Sequence, residues 1–332
     1  MGRAGGPCRG RGAYPDAGGG GVLTMVVGSG YLGGRIGARI RALGGRAVLC
    51  SRRPPAARSA AGLEWRELDV RDARACRDVV RGVAPDSLVI VHGPSDITWC
   101  EEHPREAMAA HGTGAVNLAA AAGRLPVLLV STDNVFAGTR DSYGESDEVS
   151  PANAYGRAKL AAERTLLDTG AALVLRVSLV YGWDPDGHRP NYFTTCVRSL
   201  RAGRAVEAPD DHWNTPVLVD DVAAWSTELV RTRRTGVLHL AGPERLSRYA
   251  WARRIAAGLG LGEDLVRAVG KAGTAYACRP SNACLHSEHA ADLPELAGLW
   301  PVDVDEGTRR LAAVALAPEG PPAVPAPRSV EE

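Results

Sequence analysis

Five stretches of this 332-residue chain are apolar almost from end to end: VLTMVVG (22–28), AVLCS (47–51), SLVIVHG (87–93), PVLLVST (126–132) and LVLRVSLVYG (173–182). A strand with one face in water alternates apolar and polar residues, whereas a strand covered on both faces has no reason to alternate. Both-face burial is the condition of a parallel sheet clad in helices. The intervening stretches are longer, rich in alanine, leucine and arginine, and of helical period. This order predicts an α/β fold with a doubly wound parallel sheet over 22–182, rejoined by 214–242. The regularity weakens after 182, and 183–213 with 243–315 read as a smaller C-terminal region. The glycine- and arginine-rich residues 1–21 and the proline-rich residues 316–332 offer almost nothing to bury and are expected to be disordered extensions.

The 39 basic and 38 acidic residues nearly cancel. That balance gives no electrostatic reason for a nucleic-acid polymer or an anionic membrane as partner, and favours a small molecule. No apolar run approaches the ~20 residues of a membrane helix, and no leader pattern opens the chain; a cytoplasmic protein is expected. The seven cysteines form no C-x-x-C pair and no cluster with histidine, so free thiols and no metal site are expected. Lysine is scarcer still. Among the 39 basic residues only Lys159 and Lys271 are lysine, and Lys159 invites the question why it is not arginine.

Gly28, Gly30 and Gly33, with Tyr31 and Leu32 between them, follow the first apolar run directly and open a helical pattern. Glycines there allow a tight turn, a close backbone approach to a pyrophosphate and close helix–strand packing, with the helix N-terminus facing the anion. A dinucleotide is the expected occupant. The second strand ends in Ser51, Arg52 and Arg53, where a chain selecting NAD presents an acid to the ribose 2′-hydroxyl. An arginine at that place pairs with a 2′-phosphate, so NADP(H) is expected. Asp69 and Val70, after the third strand, are candidates to flank the adenine. His92, Gly93 and Pro94, after the fourth, are candidates to line the cofactor.

Ser150 and Pro151 read as N-cap and first residue of a helix that then carries Tyr155 and Lys159. Four residues apart, the two side chains share a face. A phenol titrates near ~10 and is a poor acid–base group at neutral pH, but a neighbouring ammonium favours the phenolate. Lysine also brings three free donors for ribose hydroxyls, which the planar guanidinium of arginine does not reproduce. Thr132, at the end of the fifth apolar run, supplies a hydroxyl that can share a carbonyl oxygen with Tyr155.

With these residues in view, the sequence resembles the extended short-chain dehydrogenase/reductases, and within them the dTDP-4-dehydrorhamnose reductase group and its sugar-nucleotide relatives. The resemblance spans about residues 24–315. It rests on GSGYLGGRI, WCEEHPREAMAAHGTGAVNLAAAA, VSTDNVFAG, SPANAYGRAKLAAE, LRVSLVYG, NTPVLVDDVA and RPSNACL, in the family's order. It implies a Rossmann fold whose smaller C-terminal region binds substrate, a catalytic triad of Thr132, Tyr155 and Lys159, and NADPH-dependent reduction of a nucleoside diphosphate-linked 4-keto-6-deoxysugar. Asp133 and Asn134 then face the substrate, and Arg279 stands near its diphosphate. Asn191 and Arg176 are weaker candidates. A homodimer is the family-level expectation. A sugar-nucleotide epimerase or dehydratase, and a regulatory subunit that binds NADP without turnover, are the alternatives the resemblance leaves open.

Three departures stand out. Val27 occupies a position where relatives carry a further glycine, which predicts a shorter pyrophosphate turn. Ala110-His111 replaces a Val-Asn pair, which predicts the loss of one backbone-ordering contact. Asn134 replaces the glutamate that 4,6-dehydratases use as an acid, which argues against elimination chemistry.

Overall fold

The computed structural model describes residues 21–55, 62–184 and 190–315. The extension expected at 1–21, apart from Gly21, and the tail expected at 316–332 lie outside the described residues. The strands are β1 (Leu23–Val27), β2 (Arg46–Ser51), β3 (Glu64–Glu67), β4 (Ser87–Ile90), β5 (Val127–Thr132), β6 (Ala172–Val177), β7 (Val180–Tyr181), β8 (Val206–Pro209), β9 (Trp213–Asn214), β10 (Val217–Leu218), β11 (Gly236–Leu240), β12 (Leu246–Ser247) and β13 (Val266–Val269). The helices are α1 (Tyr31–Ala42), α2 (Ala73–Val83), α3 (Ile97–Glu102), α4 (Pro104–Met108), α5 (Gly114–Ala122), α6 (Ala154–Leu167), α7 (Tyr192–Arg201), α8 (Val219–Thr232), α9 (Arg248–Gly258) and α10 (Val304–Ala315).

Seven strands make one sheet in the order β11-β6-β5-β4-β1-β2-β3, and every neighbouring pair is parallel. The register explains the unbroken apolar runs. Val26, Leu49, Leu128 and Val130 pack on one face with Ile36 and Ile40 of α1 and Trp225 of α8. Met25, Val27, Val48, Val127 and Leu129 pack on the other with Val80 of α2, Leu118 of α5 and Leu166 of α6. Each such side chain contributes roughly 1.5–3 kcal/mol on burial, so an exposed face would forfeit half of what holds the sheet. The expected doubly wound sheet is the fold observed. Among the described residues no helix is long and apolar enough to cross a membrane.

The long fifth run does not form one strand. It divides into β6 and β7 at Ser178 and Leu179, because the Ser178 hydroxyl turns to the Asp133 carboxylate at 2.9 Å and the Leu179 carbonyl accepts from Val217 N at 3.0 Å. The chain leaves the sheet there. α7, α9 and α10 then gather with β8 and β13 around Phe193, Val197, Trp251, Ile255 and Leu311. β12 and β9 form a short antiparallel pair beside them. The stretch 219–240 returns to the sheet as α8 and β11.

Candidate active site

The sheet order reverses between β1 and β4, and at such a switch point the carboxyl ends of the strands spread apart to leave a crevice. A cleft of about 1400 Å³ opens there, larger than the ~300–1,000 Å³ usual for one small ligand. It has room for a dinucleotide and a second molecule side by side. Every candidate derived from the sequence, from Gly28 through Arg53, Val70 and Pro94 to Thr132, Tyr155, Lys159, Asn191 and Arg279, lines this one cleft, with the exception of Arg176.

At its nucleotide end, β1 runs through Gly28 into α1. Gly28 has φ +122, and a Cβ there would lie 2.9 Å from the His92 backbone nitrogen; only glycine fits. Gly30 is the N-cap of α1, with no side-chain cap bond and no acid in the first turn. A Cβ on Gly30 would meet no atom within 4 Å. The first turn of α1 therefore lines the cleft with no acid of its own, the arrangement that suits a pyrophosphate. Tyr31 ties α1 to β7 through a 3.4 Å bond to the Val180 carbonyl, and Leu32 packs into the sheet core.

Ser51 is committed to the turn. Its hydroxyl donates to the Arg53 carbonyl at 2.6 Å and accepts from Ser29 at 2.7 Å and from the Trp65 indole at 3.0 Å. Those bonds order the Arg52-Arg53 turn and leave both exposed guanidinium groups on the cleft rim. Asp69 is likewise held: Arg71 donates to both carboxylate oxygens, and those hydrogen bonds bring its pKa down to about 2. Val70 is buried against the Gly114 backbone. His92 donates Nε2–H to the Ala110 carbonyl at 2.9 Å, and burial pulls its pKa down to about 4, so a neutral ring lines the cleft.

At 111, where the loss of a backbone-ordering contact was expected, the side chain does meet the backbone: His111 Nε2 lies 2.8 Å from the Pro94 carbonyl and anchors the 93–94 turn. Its ring meets Tyr155 edge-on at 5.6 Å, and burial holds its pKa well below the usual histidine value. It sits in a π-helical turn at 109–113, a local form that recurs at functional sites.

α6 starts one turn later than the sequence suggested. Its N-cap is Asn153, not Ser150: the Asn153 side-chain oxygen accepts from Gly156 N at 2.8 Å, and its amide donates to Asn134 Oδ1 at 3.0 Å. The cap thereby fastens α6 to the end of β5. Tyr155 and Lys159 follow on the buried face, at 9% and 4% exposure. Lys159 Nζ donates to the Val130 carbonyl at 2.7 Å. Burial pulls its pKa from 10.5 down to about 8, with Glu163 opposing the shift. Thr132 Oγ1 donates to Asp133 at 3.0 Å and accepts from Asn134 N and Nδ2, each at 3.2 Å. Asp133 is buried and its pKa is raised by desolvation, against hydrogen bonds from Ser178, Thr132 and Asn134.

Two weaker candidates are structural. Arg176 pairs with Glu163 at 2.8 Å, both buried, and does not line the cleft. Asn191 lines the cleft but caps α7 in a reciprocal box with Thr194 and donates to the Gly182 carbonyl at 2.7 Å, so its amide is spent on the fold. Arg279 lines the cleft half-buried and donates to the Ala275 carbonyl. Sequence reasoning missed Arg248, Tyr192 and Tyr276, which meet on the same wall. They come from three separate segments, and only the Ser247 cap just before Arg248 was a local signal.

The geometry agrees with what the chain resembles. The family model "RmlD substrate binding domain" matches residues 24–300. A dTDP-4-keto-6-deoxy-D-glucose reductase of Streptomyces niveus is 33% identical over 208 residues, 61% of this chain and 71% of that protein. A dTDP-4-dehydrorhamnose reductase of Mycobacterium tuberculosis is 31% identical over 244 residues, 70% and 77% of the two chains. The methionine adenosyltransferase 2 subunit beta of Bos taurus is 27% identical over 267 residues, 74% and 79% of the two. Among solved structures, a Bacillus anthracis dTDP-4-dehydrorhamnose reductase in complex with NADP superposes with a TM-score of 0.74 at 21% identity, covering 87% of this chain and 98% of that one. The Yersinia enterocolitica reductase gives 0.76 at 21% identity, covering 88% and 99%. The chain belongs to the RmlD substrate-binding family of extended short-chain dehydrogenase/reductases, with sugar-nucleotide reductases among its relatives.

Proposed function

We propose that the protein is an NADPH-dependent reductase of a nucleoside diphosphate-linked 4-keto-6-deoxysugar. The observation that carries this reading is the convergence of Thr132, Tyr155 and Lys159 on one cleft whose other end is the glycine turn. NADPH, when bound, supplies the hydride. Gly28, Gly30 and the first turn of α1 hold its pyrophosphate, and Arg52 and Arg53 select the 2′-phosphate. Tyr155 gives the proton to the ketone oxygen. Lys159 is fixed by the Val130 carbonyl, keeps a positive charge beside Tyr155 and favours its phenolate. Thr132 is oriented by the Asn134 amide and swings its proton from Asp133 to the substrate oxygen, polarising the carbonyl.

The test is NADPH consumption with and without a dTDP-4-keto-6-deoxyhexose. Wild type is expected to show substrate-dependent oxidation. Tyr155→Phe should retain NADPH affinity and lose at least about 100-fold in turnover, the low end for a positioned acid. Unchanged turnover would remove Tyr155 from the chemistry. A second reading, a subunit that binds NADP without turnover, draws on the likeness to methionine adenosyltransferase 2 subunit beta. It predicts NADPH binding with no oxidation by any keto sugar. An epimerase would convert sugar nucleotide with no net NADPH loss.

A further inference from the structure

Tyr155, Lys159 and Glu163 follow one another at intervals of four along α6, so they form one stripe on its buried face. That stripe meets the end of β5 residue by residue. Lys159 Nζ donates to the Val130 carbonyl at 2.7 Å, and the next residue of the strand, Ser131, donates its hydroxyl to Glu163 Oε1. Thr132, which lines the cleft, comes directly after.

Glu163 is 1% exposed and does not line the cleft. Besides Ser131 it accepts from Arg176 of β6, whose Nε lies 3.2 Å from each carboxylate oxygen and whose Nη2 lies 2.8 Å from Oε2. Arg176 is itself shared. Its Nη1 lies 3.4 Å from His239 Nε2, and His239 Nδ1 faces the Tyr143 and His286 carbonyls at 3.2 and 3.0 Å. That imidazole is therefore an acceptor for the guanidinium, and burial keeps it neutral. A buried arginine–glutamate pair is often replaceable by apolar residues at no cost in stability, so stability alone does not call for an acid one turn from Lys159.

Few ionisable groups face Lys159. Tyr155 and Glu163 share its helix, while His111 in the 109–113 turn and His92 after β4 are kept neutral by burial. Glu163 is the acid whose charge acts on the ammonium, and it opposes the desolvation that brings the pKa down to about 8.

We propose that Glu163 is the positioning residue of the reactive pair: through Ser131 it fixes α6 against the end of β5, and its carboxylate holds the positive charge of Lys159 in the cleft wall. The assignment rests on the reading of Tyr155 and Lys159 as that pair, and adds the buried acid on which they depend.

The experiment uses the scarcity of lysine. With only two lysines in the chain, isotopically labelled lysine gives two side-chain NMR signals, and the one missing from Lys159→Met belongs to Lys159. In wild type it should titrate near pH 8. Glu163→Gln combined with Arg176→Met removes both charges and leaves an amide oxygen for Ser131; the midpoint should fall by about one unit, the low end for loss of a neighbouring opposite charge. Arg176→Met alone strips the carboxylate of its counter-ion and should move the midpoint the other way, upward. A merely structural pair would shift both variants alike, since drier packing disfavours the ammonium in each. With NADPH and the keto sugar, the alkaline limb of kcat/KM belongs to Tyr155 and Lys159 jointly, and in the double variant it should move down with the NMR midpoint.

A midpoint that stays or rises in the double variant overturns the proposal, as does one that falls in Arg176→Met. So does an alkaline limb that stays in place while the midpoint falls. Midpoints that shift in opposite directions in a protein that consumes no NADPH with the keto sugar uphold the role of Glu163 toward Lys159 and overturn the reductase reading alone.

Discussion

Replacing Lys159 with methionine should make the ligand-free protein more stable while abolishing turnover. Lys159 is 4% exposed, and burial lowers its pKa from 10.5 to about 8. At about 1.36 kcal/mol per pKa unit, keeping it charged at neutral pH costs roughly 3 kcal/mol relative to an unfolded lysine. Methionine has similar length and no charge. It also orphans the Val130 carbonyl, now satisfied at 2.7 Å, a loss of about 1 kcal/mol. The net expectation is a gain of about 2 kcal/mol, or about 3 °C in melting temperature for a chain of this size.

The sign of the pH dependence follows from linkage. Between about pH 8 and 10.5 the unfolded lysine binds a proton that the folded one has released, so wild-type stability rises with pH through that window. Below it the full penalty is present. The gap between Lys159→Met and wild type should therefore be largest at pH 7 and shrink as pH climbs toward 10. Chemical denaturation of both proteins across pH 7 to 10 measures it. A variant less stable than wild type at pH 7, or a gap that ignores pH, would refute the reasoning and leave Lys159 as an ordinary packing residue.

Arg52→Asp should weaken NADPH about 10-fold and shift preference toward NADH, since an exposed guanidinium gives the low end of a charge-assisted bond; an unmoved ratio of the two affinities counts against the phosphate pairing. Glu163→Gln leaves Arg176 charged and buried, so denaturant titration should show a loss of about 3–5 kcal/mol, partly recovered when Arg176→Met is added. Gly93 has φ +107 and its Cβ would run into the His111 ring; Gly93→Ala should lower stability by about 1–3 kcal/mol and, because that ring touches Tyr155, turnover with it.

The main sheet was legible because burial on both faces removes alternation, and that mark survives in any strand such as Val127–Thr132. Tyr155 and Lys159 were legible because a helix converts a spacing of four into adjacency. Where two residues compete for one local role, pattern does not decide. The Ser150-Pro151 pair pointed to the wrong cap: Asn153 caps α6, and its amide also reaches Asn134. The break at Ser178 was hidden because an apolar run of ten residues looks the same whether or not the chain changes sheets halfway. Tyr192, Arg248 and Tyr276 left no mark because their proximity is made by the packing of α7, α9 and the 270s loop, which no short spacing encodes.

Five side chains with formal charge are buried among the described residues: Asp133, Lys159, Glu163, Arg176 and Arg248. Glu163 and Arg176 do not line the cleft, and they neutralise each other through hydrogen bonds from Nε and Nη2 of the arginine. Asp133, Lys159 and Arg248 do line it, and none of the three makes an ion pair. Desolvation shifts all three toward neutrality. The same fold that pairs its buried charges in the core thus leaves them unpaired on one wall. An unpaired buried charge lowers stability by several kcal/mol. Asp133 has both oxygens filled by hydrogen bonds, but a phosphate, a ribose hydroxyl or a ketone oxygen brought into the cleft would give the Lys159 and Arg248 cations an acceptor, so the cations left unpaired in the free protein are those best prepared for a polar ligand.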